Sequence, residues 1–295
     1  MSYLLKNDDI TLRISQLGGE LTSIFDNHNA KEYLWNADPA FWARHSPILF
    51  PFVGSCKNKS YTYQGKTYPM MQHGFARDMQ FKLISQTEDE IWLGLNSTKE
   101  TLNIYPFRFR LELGYRISKR QIHVLWKVIN NDSEIMYFSI GAHPGFYCPL
   151  DSDKSQSDYY LCFDTEKPIS YLLVNSEGLE VKENINSKHI LTTDYGTLPI
   201  VPNMFDNDAL IIEGKQCSKL SLLNPDRSPY LSVSFDAPLF AIWSPAGKNA
   251  PFLCIEPWYG RCDSEAFNGT LEDKDYINKL AVGESFESGY TIEIN

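Results

Sequence analysis

The stretch FRFRLELGYRI, residues 107–117, decides the fold class of this chain. Its apolar side chains fall at every second position from Phe107 to Ile117, and charged side chains such as Arg110 and Glu112 lie between them. A period of two is typical of a β-strand with one face buried and the other in water. The stretch therefore predicts a half-buried antiparallel strand.

The same alternation recurs along the chain. It continues at residues 122–128, where His123 falls on the outer face and is expected to be an ordinary surface histidine. Further strands are predicted at residues 10–14, 21–25, 61–68, 81–86, 90–97, 137–141, 159–164, 209–213, 219–223, 230–235, 240–243 and 286–294. No long amphipathic helix is evident, and many short strands between turn signals favour an all-β antiparallel sandwich or barrel.

Two irregular segments bear on domain organisation. Residues 151–158 are short and polar, and strand patterning of the same kind resumes after them, so we expect a surface loop. Residues 175–207 have weaker patterning, and a segment of that length without regular structure is often functional. We therefore predict a single domain over residues 1–295.

Charge and cysteine content exclude several classes of function. The net charge of −10 and the lack of a basic run argue against nucleic acid and membrane surfaces as partners. Residues 1–10 lack the apolar core of a signal peptide, which predicts a cytoplasmic protein. The six cysteines include no C-x-x-C pair, so the sequence indicates neither a disulfide framework nor a metal site. The oligomeric state stays open.

A carboxylate follows an apolar run in PFLCIEPWYG, residues 251–260. Pro257 cannot donate to a sheet ladder, so Glu256 is predicted at the end of a buried strand, under aromatic cover. Burial raises the pKa of a carboxyl group and makes it a plausible proton acceptor near neutral pH. The alternative is a solvated or salt-bridged glutamate.

Two histidines lie in turns flanked by glycine. His143 follows small residues in GAHPGF, residues 141–146, which leaves room for a ligand beside its imidazole. His73 begins the run HGFARD, in which Arg77 offers a planar charged donor fork. Each histidine has an ordinary alternative as a surface or hydrogen-bonded core residue.

Together these motifs resemble the aldose 1-epimerase, or galactose mutarotase, family, and more closely its LacX-like branch. The resemblance rests on GGELTS (18–23), PILFPFVG (47–54), QHGFARD (72–78), YPF (105–107), GAHPGF (141–146) and CIEPW (254–258), in the family's order. It implies a large antiparallel β-sandwich with a sugar groove across one face. It also implies an isomerase that interconverts the α and β anomers of a hexose and needs no metal or organic cofactor.

The resemblance also implies roles for particular residues. Glu256 would take the proton of the C1 hydroxyl, and His143 would give one to the ring oxygen. His73 would hydrogen-bond the sugar, and Asp208 would accept from a sugar hydroxyl. Asp206 is close enough to Asp208 to be the true match, and turn capping is the alternative for both. Three aromatic residues are candidates for a stacking surface or for the core: Phe75, Trp243 and Trp258.

The chain departs from the family pattern after VG at residues 53–54. Typical members carry an arginine there, whereas this chain has Lys57 and Lys59. Arg77 resembles a position that related hexose-6-phosphate epimerases use near the phosphate, but it can equally pair with Asp78. Two alternatives to a mutarotase therefore stay open, a hexose-6-phosphate 1-epimerase and a non-catalytic carbohydrate-binding or sensing protein.

Overall fold

A computed structural model describes residues 1–181 and 189–295 and confirms the all-β class. The first strands are β1 (Ser2–Lys6), β2 (Ile10–Ser15), β3 (Leu21–Asp26), β4 (Lys31–Glu32), β5 (Ile48–Leu49), β6 (Ser60–Tyr63), β7 (Lys66–Pro69), β8 (Lys82–Gln86), β9 (Glu90–Asn96), β10 (Phe109–Ser118), β11 (Gln121–Asn130), β12 (Met136–Phe138) and β13 (Ile140–Ala142). They are followed by β14 (Gly145–Tyr147), β15 (Tyr160–Phe163), β16 (Ile169–Tyr171), β17 (His189–Leu191), β18 (Thr197–Pro199), β19 (Leu210–Glu213), β20 (Lys219–Leu223), β21 (Pro229–Phe235), β22 (Leu239–Trp243), β23 (Phe252–Tyr259), β24 (Asn278–Leu280) and β25 (Ser285–Ile294).

Helical segments are short throughout the described chain. They are α1 (Lys99–Ile104) and 3-10 turns at Lys57–Lys59, Ala76–Asp78, Gln156–Asp158 and Leu271–Asp273. Within the described residues, no helix has the length and apolar character needed to span a membrane. The predicted irregular segment 175–207 contains β17 and β18, and its residues 182–188 lie outside the described residues.

The alternating stretch at 107–117 forms β10, as predicted. Leu111 and Leu113 are buried, while Arg110 and Glu112 lie on the other face and form an ion pair at 2.5 Å. In the antiparallel register with β11, Leu113 lies opposite Trp126. This pairing places one face of both strands in the core and leaves the polar face to solvent.

Two sheets pack face to face. One has the strand order β18-β15-β20-β21-β25-β11-β10-β9-β8, and the other has the order β19-β22-β23-β13-β5 with β14 also paired to β23. Aromatic rings join them: Trp126 and Phe286 of the first sheet contact Tyr259 of the second. The result is an antiparallel sandwich whose apolar side chains are shared between the two sheets.

Strand β23 carries polar and reactive side chains on the face of its sheet that points away from the core. Leu253 and Ile255 point into the core between the sheets. Because successive side chains of a strand alternate between faces, Cys254, Glu256 and Trp258 point to the opposite face. That face carries the candidate site.

Candidate active site

Glu256 lies inside β23, so its predicted place at a strand end is wrong. The strand runs on through Pro257 to Tyr259. The Ile255 N–H donates to the Pro144 carbonyl at 3.4 Å. Backbone groups two residues apart in a strand point to the same side, so the backbone nitrogen of Pro257 faces the same neighbouring segment. There β13 ends at Ala142, and the sheet therefore tolerates a residue that has no N–H.

The predicted burial of Glu256 and the rise in its pKa are confirmed. The residue is 1% exposed, and its Oε2 makes no hydrogen bond to any atom of residues 1–181 or 189–295. Burial raises the pKa of Glu256 well above its ordinary value, and the negative charge of Asp208 raises it further. In the unliganded cavity both effects favour the protonated form of the carboxyl group.

His143 faces Glu256 directly. It follows the last residue of β13, and its Nε2 lies 3.4 Å from Glu256 Oε2. Its imidazole stacks on Trp42 with ring centroids 4.7 Å apart and meets the edge of Trp243 at 5.2 Å. Burial lowers the pKa of His143 to about 3, with the Arg77 charge acting in the same direction. Burial thus disfavours both the carboxylate form of Glu256 and the imidazolium form of His143.

His73 lies beside this pair as a neutral donor. Its ring centroid is 5.6 Å from that of His143. Its Nδ1 accepts the Gly54 N–H at 3.1 Å, so in the neutral ring Nε2 carries the proton. Burial lowers the pKa of His73 well below its ordinary value, and His143 and Arg77 add to the effect. Gly74 permits the turn, because a Cβ there would lie 2.3 Å from the Phe50 carbonyl oxygen.

Arg77 and Asp208 complete the predicted set. Arg77 donates to the Gln72 carbonyl at 2.8 Å, and its Nε lies 3.9 Å from Asp78. Asp208 is half-buried, and burial raises the pKa of its carboxyl group. Hydrogen bonds from the Trp243 side chain and from the Ala209 backbone lower that pKa and offset part of the rise. Asp206 is exposed and lies outside this group.

These side chains surround one cavity of about 240 Å³. It is lined by Trp42, Gly54, Gln72, His73, Arg77, His143, Val174, Gly178, Asp208, Ala209, Ile211, Trp243, Glu256, Trp258 and Cys262. The cavity adjoins a wider one of about 730 Å³ that shares Trp42 and Trp243 and that includes Asp206. A larger cavity of about 880 Å³ has no histidine among its described lining residues, so it lacks a comparable acid–base pair.

Several side chains have positions that the sequence did not reveal. Trp42 covers His143, although nothing in its local sequence marks it as a site residue. Of the three proposed stacking aromatics, Trp243 and Trp258 line the cavity, whereas Phe75 packs in the core against Phe109. Lys57 donates to the Phe267 carbonyl at 2.9 Å, away from the cavity lining, so it does not replace the arginine of typical relatives.

A buried ion network holds one wall of the cavity. Val174 and Gly178 line that wall, and Glu180 forms β-bridges to Val174 and Ser264. Arg261 follows the end of β23 by two residues and is 6% exposed. Its guanidinium forms an ion pair with the Glu180 carboxylate. The Glu180 N–H also donates to the Asp263 carbonyl at 2.9 Å. The wall is therefore anchored to the sheet that carries Glu256.

Both the sequence and the fold are similar to those of known proteins. The aldose 1-epimerase family profile matches residues 1–268. The chain is 32% identical to "Protein LacX, chromosomal" of Lactococcus lactis subsp. lactis, over 100% of this chain and 99% of that protein. It is also similar to the crystal structure of a galactose mutarotase related enzyme from Lactobacillus acidophilus, with a TM-score of 0.93, 33% identity and coverage of 100% and 97%.

A second solved structure gives the same result for the fold. The galactose mutarotase-like protein of Lactobacillus casei superposes with a TM-score of 0.91 at 28% identity, and both chains are covered over 100% of their length. The predicted antiparallel sandwich of the galactose mutarotase type is therefore confirmed. With the profile match over residues 1–268, these likenesses establish that the chain belongs to the aldose 1-epimerase family.

Proposed function

We propose that this protein is a mutarotase that interconverts the α and β anomers of a hexose by acid–base ring opening. The observation that carries the proposal is the pair formed by Glu256 and His143, 3.4 Å apart and buried at one side of a cavity that is lined by both polar and apolar side chains. The cavity is lined by residues from Trp42 to Cys262, so we propose that the chain acts as one domain.

The proposed reaction moves two protons and breaks one bond. Glu256 takes the proton of the C1 hydroxyl, the bond from C1 to the ring oxygen breaks, and His143 protonates the departing ring oxygen. The C1 aldehyde then rotates, and the reverse transfers close the ring on its other face. Each positioned acid or base contributes about 10²–10⁴-fold to the rate.

Sugar binding prepares the pair for this reaction. In the unliganded cavity burial disfavours both charged forms, so a proton shared by the pair is favoured on Glu256 over His143. A sugar hydroxyl that donates to Glu256 and a ring oxygen that accepts from His143 both stabilise the ionised arrangement. The proton then moves across the 3.4 Å gap, and the total number of protons stays unchanged.

Neighbouring side chains hold the sugar in this scheme. His73 donates its Nε2–H to a sugar oxygen, and Asp208 accepts from a sugar hydroxyl. Trp42 and Trp243 pack on the His143 ring and keep water from its faces. Exclusion of water strengthens the hydrogen bonds between the pair and the sugar.

Asp208 and Asp206 give a matched test of sugar binding. We expect Asp208→Asn to lower kcat/KM by about 10–100-fold, because a hydrogen bond to a charged group is worth about 1.5–3 kcal/mol. Asp206→Asn should stay within about twofold, because Asp206 is exposed and outside the cavity. Anomerisation kinetics of both variants check this. If only Asp206→Asn lowered kcat/KM, Asp206 and not Asp208 would be the residue that accepts from the sugar hydroxyl.

A phosphorylated hexose is the second candidate substrate. Arg77 favours it, because its guanidinium lines the cavity and its buried Nε makes no hydrogen bond within the described residues. A guanidinium with a free N–H suits phosphate as well as a sugar hydroxyl. This alternative keeps Glu256 and His143 in the same roles.

Arg77→Ala separates the two substrates. If a hexose 6-phosphate is the substrate, the parent prefers it to the free sugar, and the variant loses that preference. If the free hexose is the substrate, as we propose, the variant changes kcat/KM for both sugars by similar factors. Exchange NMR on glucose and glucose 6-phosphate measures both. Arg44→Ala is the control, since Arg44 pairs with Asp78 and does not line the cavity.

A further inference from the structure

Cys254 lies directly beneath the acid–base pair. It is two residues before Glu256 in β23, so both side chains point to the same face of the sheet. Gly145 pairs with Cys254 and Gly141 with Trp258, which places His143 across from Glu256. The thiol is fully buried. A thiol, an imidazole and a carboxylate thus converge from two neighbouring segments.

The distances within this group suit a tetrahedral metal ion. One ligand atom from each of His143, Cys254 and Glu256 lies within 4.8 Å of the other two. Two nitrogen or oxygen ligands of tetrahedral zinc lie about 3.4 Å apart, and His143 Nε2 and Glu256 Oε2 are separated by 3.4 Å. The sulfur has to approach by about 1.4 Å at most to reach the usual zinc–sulfur distance of about 2.3 Å.

Two polar atoms at this point accept or donate no hydrogen bond within the described residues. Glu256 Oε2 and His143 Nδ1 are both buried, and neither makes a hydrogen bond within residues 1–181 and 189–295. Unsatisfied buried polar atoms are uncommon, and at a functional site they can serve a catalytic role or bind a ligand. A bound sugar satisfies them in the reaction proposed above, and a metal ion coordinated by Glu256 satisfies one of them in its place.

We propose that His143, Cys254 and Glu256 form a binding site for a thiophilic divalent cation of the zinc class, and that the bound cation inhibits the enzyme by occupying its acid–base pair. The sulfur, nitrogen and oxygen ligand set selects zinc or cadmium over magnesium and calcium, which prefer oxygen ligands. The binding half of the proposal stands on geometry alone, and the inhibition half rests on the proposed function.

Charge balance favours the ion in this buried place. The three groups ligate a metal ion as a thiolate, a carboxylate and a neutral imidazole. These two negative charges neutralise the dication, so the buried complex carries no net charge, and burial of unpaired charge is avoided. Because the ligands must be deprotonated to bind, binding strengthens as pH rises.

Cadmium is the probe for the site. We expect Cd²⁺ to produce thiolate-to-metal charge-transfer absorption at one equivalent in the parent chain, with an affinity at least tenfold lower in Cys254→Ala. Cys162→Ala is the control, because Cys162 is the partly exposed thiol and lies in another strand. Unchanged absorption in Cys254→Ala, or loss of the signal in Cys162→Ala, would overturn the site. Circular dichroism establishes that each variant is folded.

Inhibition is measured separately from binding. Zn²⁺ should inhibit anomerisation competitively with sugar and reversibly on addition of a chelator, and Mg²⁺ should have no effect. In Cys254→Ala the inhibition constant should rise at least tenfold, relative to that variant's own rate without metal. Cadmium absorption in a chain without anomerisation activity would retain the site and reject the proposed function. Anomerisation activity without cadmium absorption would retain the proposed function and reject the metal site.

Discussion

Replacing Glu256 with glutamine is expected to lower kcat for hexose anomerisation by about 10²–10⁴-fold, which is the usual contribution of one positioned base. The amide has the size of the protonated carboxyl group, so the cavity keeps its shape and sugar affinity should change by no more than a few-fold. Exchange NMR between the anomers measures the rate, and calorimetric titration measures binding. Loss of rate with retained binding is the signature of an interaction made in the transition state.

Two controls accompany this variant. Glu287→Gln removes an exposed carboxylate that pairs with Lys127 on the other sheet, and it should leave kcat within about twofold. Unfolding measurements establish that a slow variant is folded. If Glu256→Gln kept more than half of the parent rate, Glu256 would not be the base.

Stability should move in the opposite direction from activity. Because the pKa of Glu256 is raised in the folded state, the native chain binds more protons than the unfolded chain above the ordinary pKa of 4.5. The stability of the parent therefore falls as pH rises through that range, and the glutamine variant lacks this penalty. We expect Glu256→Gln to unfold at the same or a higher temperature at neutral pH.

Replacing His143 with asparagine is the second large effect. The variant removes the proton donor to the ring oxygen and should lower kcat by about 10²–10⁴-fold. The two groups act as a unit, so the double variant with Glu256→Gln should lose much less than the product of the two single losses. Full additivity would show that the residues act independently.

The pH profile of the parent reports the same pair. Only the form with one proton on the pair is active, and it predominates between two macroscopic pKa values that belong to the pair. Burial lowers the pKa of His143, which lowers the first macroscopic pKa of the pair. Burial raises the pKa of Glu256, which raises the second macroscopic pKa. We therefore expect kcat/KM to stay flat across neutral pH and to fall at both extremes. A single step near pH 6.5, the ordinary pKa of histidine, would contradict this assignment.

Much of the fold follows from the sequence by simple rules. Period-two alternation located β10 and the strands around it, because a half-buried strand cannot place its apolar side chains in any other way. The rule that a proline ends a strand failed at Pro257, which lies inside β23. Whether a proline is tolerated depends on where the neighbouring β13 stops, and that is a property of the partner strand.

The candidate site was only partly accessible to the same reasoning. Glu256 and His143 carry local signals, since each adjoins apolar or small residues that place it in a closed region. Trp42 carries none, because its role depends on a contact with a residue 101 positions away in the chain. Asp208 and Asp206 are two residues apart in one polar turn, and a positive φ of 67° at Asp208 helps set which of them faces the cavity.

The most direct test of the central claim is the rate of exchange between the anomers of galactose and glucose with the parent chain and with Glu256→Gln. Polarimetry of freshly dissolved α-sugar gives the net rate, and exchange NMR gives it at equilibrium, with glucose 6-phosphate measured alongside. We predict rapid anomerisation by the parent and its loss in the variant. Sugar binding by both chains, with no acceleration by the parent above buffer on any of the three sugars, would contradict the enzyme and indicate a carbohydrate-binding protein on the same fold.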